Sequence, residues 1–328
     1  MPKKIFSTTK LMLTKFYFSI KKNPITLVVL LSSIINFTYI YWSDPARPGA
    51  LYSKGWYEIW NDQRYYEIMA KKISLLDFTP SNYEYPLGYP ILGALCYKLF
   101  PQDPFLLPNL TLYTLSVIFF YLINIKLTKN KLFSLSSTFF LLLSGTFNRS
   151  ITPWTSNVTL TLSIMSYYIL LQAFSVKKAI LMSFFCGYSF FTRYSDSLVL
   201  LPLLFFYTLK MFNTNHKKQP YFIKIYIKNI VVVILPFILI ILSTFLINYF
   251  IFGNFIGNYL NSVKNEGFDP PTIWINKTIG MFLNQWIYHR ETHLLSIPFI
   301  KENLILFLFP LGIFLYTKDN WTKHKLFI

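Results

Sequence analysis

Residues 230–251 read IVVVILPFILIILSTFLINYFI, 22 positions without one charged side chain. As a helix this stretch rises roughly 33 Å, enough to cross a hydrocarbon core of about 30 Å. A helix that is apolar all round belongs in a large core or in a membrane. Two other runs, Ile25–Trp42 and Phe105–Ile125, are also long enough to cross. Five shorter apolar runs complete the pattern: Leu132–Phe147, Val158–Phe174, Ala179–Phe191, Leu198–Phe212 and Leu304–Tyr316. The sequence therefore predicts an all-α integral membrane protein with about eight transmembrane helices.

Composition agrees. Hydrophobic residues make up 54% of the 328 and charged residues only 13%, against roughly a quarter charged in soluble domains. The net charge of +18 would point to nucleic acid in a soluble protein, but its placement points to a membrane instead. With the N-terminus inside and eight crossings, the inside segments are 1–24, 126–131, 175–178, 213–229 and 317–328. With the boundary residue Lys210 included, they hold 19 of the 31 lysines and arginines and one of the 13 acids, Asp319, so the whole net charge lies on that side. Such an excess marks the cytoplasmic face. The basic segment 1–24 and the run after it are expected to act as an uncleaved anchor, because no small-residue cleavage site follows Trp42. Cys96 and Cys186 both sit in apolar runs and cannot form a disulfide framework.

Two outside loops are long, about 43–104 and about 252–301. No internal repeat or low-complexity stretch divides the chain, so 1–328 reads as a single membrane-embedded domain. In the first loop, residues 60–70 (WNDQRYYEIMA) predict a helix that starts near Asn61 or Asp62. Tyr65, Tyr66 and Met69 follow Asp62 at helical spacing and share its face. Then comes Tyr85-Pro86-Leu87-Gly88-Tyr89-Pro90, a turn-forming stretch, and the amphipathic run Ile91–Phe100.

An Asp-x-x-Tyr-Tyr helix after the first span, followed by Tyr-Pro-x-Gly-Tyr-Pro and a helix ending in Tyr-Lys-Leu-Phe, resembles the GT-C membrane glycosyltransferases. More narrowly, it resembles the protein mannosyltransferase and lipid A aminoarabinose transferase group. Phe191-Thr192-Arg193-Tyr194-Ser195-Asp196-Ser197-Leu198 is similar to that group's Thr-Arg-Pro turn. Asn248-Tyr249-Phe250-Ile251-Phe252-Gly253-Asn254 is similar to its Asn-x-x-x-Phe-Gly span end. The matches run from about residue 25 to 260, in the family's order. The chain departs from the pattern at Tyr194, where the family places a proline, and at Glu84-Tyr85, where the aminoarabinose transferases place a lysine.

The resemblance implies transfer of a sugar from a polyprenyl-phosphate carrier to a lipid, glycan or protein acceptor on the non-cytoplasmic face. That chemistry needs a carboxylate for the acceptor proton and cationic or hydrogen-bond donors for the departing phosphate. Asp62 is the candidate catalytic base. Arg193, in a turn between two short spans, is the candidate phosphate ligand, with a structural ion pair to Asp196 as the competing reading. Arg64, Tyr65, Tyr66, Glu84, Tyr85, Asp196, His289 and Arg290 complete the candidate substrate-binding set. Glu291, His293 and Arg149 are weaker candidates. Trp56, Trp60, Trp274 and Trp286 read as interface anchors or sugar-stacking rings, and Asp44 and Asp77 as solvent-facing. No metal is expected, since His289 and His293 have no evident third ligand, and no cofactor beyond the carrier-linked sugar. No nucleotide-binding Gly-rich loop or nucleophile elbow is present.

The competing classes are a lipid or glycan transporter or flippase, a glycan polymerase or ligase, and a non-catalytic relative. The expected setting is the plasma (inner) membrane of a bacterium, multi-pass with both termini cytoplasmic. The expected role is lipopolysaccharide, other surface-glycan or glycolipid synthesis in the cell envelope, without nucleic acid as a partner.

Overall fold

A computed structural model describes residues 24–50, 55–59, 61–210, 222–255 and 257–258. All of them belong to the compact unit Met1–Ser262. Among the described residues the regular structure is entirely helical. The helices are α1 (Pro24–Ser43), α2 (Trp56–Ile59), α3 (Asn61–Ser74), α4 (Gly88–Tyr97), α5 (Leu106–Thr128), α6 (Lys131–Leu143), α7 (Gly145–Asn148), α8 (Thr155–Leu170), α9 (Val176–Thr192), α10 (Ser197–Leu209) and α11 (Phe222–Phe252). Short 3-10 turns occupy Pro80–Asn82, Arg149–Ile151 and Tyr194–Asp196.

Three helical stretches, Pro24–Ser43, Leu106–Thr128 and Asn229–Phe252, are long and apolar enough to cross a membrane. The fold is that of an α-helical membrane protein. The count of about eight spans is corrected to three among the described residues. Four other predicted runs do form helices, α6, α8, α9 and α10, but these have only 13, 16, 17 and 13 residues. Such helices rise about 20–26 Å, short of a core of about 30 Å. The eighth run, Leu304–Tyr316, lies outside the described residues.

Tight turns set the helix order. Lys129 closes α5 in the left-handed region, φ 56°, and its N–H returns to the Ile125 carbonyl. Asn130 then caps α6, accepting from the Phe133 amide at 3.0 Å. Inside the bundle, Asn36 Nδ2 donates to Tyr113 Oη at 2.7 Å and to the Leu142 carbonyl at 3.0 Å, tying α1, α5 and α6 together. The helices α9 and α11 lie close because Gly187 has no Cβ: one placed there would stand 2.7 Å from Ile240 Cδ1. Pro236 lies inside α11, and the next amide, Phe237 N, bonds to Ser183 Oγ of α9 at 3.1 Å.

The contacts define two ends of the bundle. One gathers Asp44, Asp103, Ile151, Phe191–Asp196, Phe252 and Asn258 together with α2, α3 and α4. At the other, Lys126 lies over the Tyr168 ring at 5.8 Å, and Lys210 Nζ donates to the carbonyls of Leu170 and Gln172. Lys126 is near enough to Lys178 and Lys210 for their charges to repel.

Candidate functional site

The predicted helix over 60–70 is α3, extended to Ser74. Asp62 lies in its first turn, where the helix dipole favours an anion. It does more than start the helix: Tyr85 Oη donates to Asp62 Oδ1 at 2.6 Å. The rest of the Tyr-Pro-Leu-Gly-Tyr-Pro stretch folds over the same helix. Tyr85 packs on Tyr65 and Tyr66, with ring centroids 6.0 and 5.2 Å apart. Tyr66 meets Tyr89 edge-on at 5.4 Å, and Tyr89 stacks on Phe105 at 4.5 Å. The nearby Glu84 carboxylate raises the Tyr65 phenol's pKa above the ordinary value. Asp62, Tyr65, Tyr66, Glu84 and Tyr85 are thus brought together, while the Arg64 side chain is exposed beside them.

Gly88 carries this cluster to the Arg193 turn. A Cβ on Gly88 would stand 2.7 Å from the Phe191 carbonyl group and the Thr192 amide, so only glycine permits the contact. Tyr188 Oη donates to the Gly88 carbonyl at 2.9 Å and fixes it. Tyr85 is three residues from Gly88 and Arg193 two from Phe191, so the connecting chain spans at most about 10 Å and about 7 Å. Asp62 and Arg193 therefore lie at the same end of the molecule.

Arg193 ends α9 in an extended conformation and is half-exposed, 48% for its side chain. Its Nε stands 3.8 Å from Asp196 Oδ1. That is a loose pairing. Asp196 is buried and accepts from the Thr159 hydroxyl of α8, so it is chiefly an anchor between helices. Tyr194 is used as well: Asn248 Nδ2 donates to its hydroxyl at 2.9 Å. This bond joins α11 to the Arg193 turn. After α11, Gly253 turns the chain at φ 69°, and Asn258 Nδ2 donates to the carbonyls of Pro80 and Tyr83 at 2.9 and 3.1 Å. Tyr83 also meets Phe252 edge-on at 6.2 Å. Segments from residues 62, 85, 193 and 248 thus form one connected assembly.

Of the other candidates, His289, Arg290, Glu291, His293, Trp274, Trp286 and Trp60 lie outside the described residues. Arg149 is exposed in the turn before α8. Trp56 is buried, not an interface anchor: its Nε1 donates to Asp44 Oδ2 at 3.2 Å. Asp44 also accepts from the Ala46 amide at 2.7 Å, so it clamps the loop rather than facing solvent alone. Asp77 is partly exposed and salt-bridged to Lys72 at 2.7 Å. Its carboxyl is pulled down to about 2 by Lys72 and by two bonds from Thr79.

One acid was missed by sequence reasoning. Asp103 is buried and accepts from Tyr57 Oη at 2.7 Å, Tyr41 Oη at 2.9 Å and the Phe105 amide at 3.1 Å. Burial pushes its carboxyl up, and the hydrogen bonds only partly oppose this. The same burial pushes the Tyr57 phenol well above its ordinary value. The available signal was an aspartate between prolines just before a long apolar run, which is where a helix cap belongs.

The chain matches no protein-family model, no curated protein and no solved structure.

Proposed function

We propose that the chain is a membrane-embedded glycosyltransferase. It moves a sugar from a polyprenyl-phosphate carrier to a lipid, glycan or protein acceptor. The observation that carries this reading is the meeting of the Asp62 helix with the Arg193 turn through Tyr85 and Gly88. Asp62 acts as general base. A carboxylate accepts at both oxygens, so Tyr85 on Oδ1 orients it while Oδ2 takes the acceptor proton. As the acceptor oxygen bonds to the anomeric carbon, the bond from that carbon to the carrier phosphate breaks, and its electron pair leaves on the phosphate. Arg193 is held only loosely by Asp196 and binds that phosphate. Tyr65, Tyr66 and Glu84 line the acceptor side.

The chain is embedded in the plasma membrane, with both termini and the lysine end cytoplasmic and the Asp62 end outside. Its product is a surface glycan or glycolipid of the cell envelope, lipopolysaccharide among them. The test is transfer of labelled sugar by the purified protein from a panel of polyprenyl-phosphate sugars into a membrane lipid and glycan extract. Transfer from one carrier names the donor. No transfer from any carrier by folded protein ends this reading.

A second reading, a lipid or glycan transporter, is favoured by one observation. Thr114 Oγ1, Tyr121 Oη, Asn124 Nδ2, Ser163 Oγ and Ser166 Oγ are buried without a hydrogen-bond partner on α5 and α8. Polar groups inside a membrane bundle often mark a path. Movement of labelled lipid across vesicles that persists in Asp62→Asn would support it.

A further inference from the structure

We infer that the free ends of α3 and α4 form a docking surface that enters the membrane interface beside anionic lipid headgroups. This rests on local geometry and not on the transferase reading.

Tyr66 faces Tyr89 with ring centroids 5.4 Å apart, and Ala70 Cβ stands 3.0 Å from where a Cβ on Gly93 would be. Both pairs have the same sequence offset, so α3 and α4 run parallel, and continuing that register sets Leu76 opposite Leu99. The leucines at this end are open: Leu75 is 63% exposed, Leu76 77%, Leu95 75% and Leu99 71%. Leu76 and Leu99, side by side at these helix ends, would be costly to leave in water.

The turn that presents them is rigid. Leu76 sits at φ 57°, a left-handed conformation that a leucine rarely adopts. It is held there because Asp77 grips the chain on both sides. The Asp77 carboxylate takes Lys72 Nζ at 2.7 Å and Thr79 Oγ1 at 2.6 Å, and its carbonyl takes Tyr83 Oη at 2.6 Å. A strained backbone that exposes an apolar side chain is a reason to look for a partner.

The partner's chemistry follows from what the tip does not offer. The amides of Leu75, Leu76 and Asp77 bond to the carbonyls of Lys71, Ile73 and Lys72 at 3.2, 3.0 and 2.9 Å. Those of Leu99 and Phe100 both bond to the Cys96 carbonyl at 3.0 Å. The tip can therefore leave water without orphaning these donors, as entry into lipid requires. Around it stand the exposed cations Lys71 and Lys98, with Lys72 half-exposed and paired to Asp77. An apolar tip with a cationic rim fits the boundary of a bilayer that carries anionic headgroups.

The test uses the full chain in sealed vesicles, with Cys96→Ser and Cys186→Ala removing the native thiols. Spin labels are placed at Leu76→Cys, Leu99→Cys and the exposed Ser81→Cys. Collision with oxygen, which concentrates in lipid, is compared with collision with a water-soluble nickel chelate. The labels at 76 and 99 are expected to favour oxygen and the label at 81 nickel. Oxygen access at 76 is expected to rise when phosphatidylglycerol is added to phosphatidylcholine, and Lys71→Gln with Lys98→Gln removes that rise. Nickel access at 76 and 99 equal to that at 81 would overturn the inference. Protection from both reagents would also overturn it, by showing that protein covers the patch. Absence of any response to phosphatidylglycerol would overturn the headgroup assignment.

Discussion

The two ends of the helix bundle are built from different chemistry. At one end the chain is held by carboxylates taking tyrosine, tryptophan and threonine donors: Tyr85 on Asp62, Tyr41 and Tyr57 on Asp103, Trp56 on Asp44, Thr159 on Asp196. At the other, lysines lie over helix carbonyls and tyrosine rings, and none of the described acids lies among them. Cations at helix C-termini stabilise the last turn and little more. Acids held by neutral donors, next to a half-exposed arginine, can bind and move a proton. Under the proposed function, the chemistry lies at the acidic end, and the lysine end serves orientation and anchoring.

The sharpest way to break that contrast is Asp62→Asn. A general base supplies roughly 100- to 10,000-fold, so labelled-sugar transfer is expected to fall by that order while thermal unfolding in detergent stays unchanged. Lys126→Gln or Lys178→Gln at the opposite end is expected to leave transfer near the wild-type rate in the same assay. Arg193→Ala comes next. A hydrogen bond to a charged group contributes about 1.5–3 kcal/mol, so a loss of roughly 10- to 100-fold in kcat/KM for the carrier is expected, with partial rescue by Arg193→Lys.

Gly88→Ala tests the joint between the two motifs. Its Cβ would meet backbone atoms of Phe191 and Thr192 at 2.7 Å, and overpacking of this kind costs roughly 1–3 kcal/mol. Its midpoint of thermal unfolding is expected to drop, whereas Gly145→Ala, with nothing within 4 Å, should leave it nearly unmoved. Tyr85→Phe removes one hydrogen bond, worth about 0.5–1.5 kcal/mol, and is expected to slow transfer several-fold without unfolding the protein.

The smallest effect concerns Asp103. Its folded pKa is raised above the unfolded value of 3.8. The stability this group contributes is therefore full below that value and is lost as pH rises through the folded pKa. Wild-type melting temperature should decline over that window, and Asp103→Asn should flatten the decline. A parallel decline in both proteins would mean that Asp103 is not the group responsible.

The three long helices were legible because continuous apolarity leaves no alternative. Ile25–Trp42 and Phe105–Ile125 became Pro24–Ser43 and Leu106–Thr128, and Ile230–Ile251 lies within Phe222–Phe252. The shorter runs were legible as helices but not as spans, because charge alternation carries no length. Within the site, Asp62, Tyr65 and Tyr66 could be placed on one helix by spacing alone. The contacts of Tyr85 with Asp62, Gly88 with Phe191 and Asn248 with Tyr194 could not, since each joins segments 23 to 103 residues apart. Asp103 escaped for the same reason. Nothing near it in sequence announces that Tyr41 and Tyr57, 62 and 46 residues away, will converge on it.

The central claim is that sugar transfer happens at the Asp62 end, on the side opposite the lysines. It is tested most directly in sealed vesicles whose orientation is fixed by labelling Ser81→Cys with a membrane-impermeant maleimide. Carrier-linked labelled sugar is in the bilayer, and acceptor is supplied on one side only. The account predicts transfer when acceptor is on the side where Ser81→Cys is labelled, and none from Asp62→Asn. Transfer only with acceptor at the lysine end, or undiminished transfer by Asp62→Asn, would contradict it.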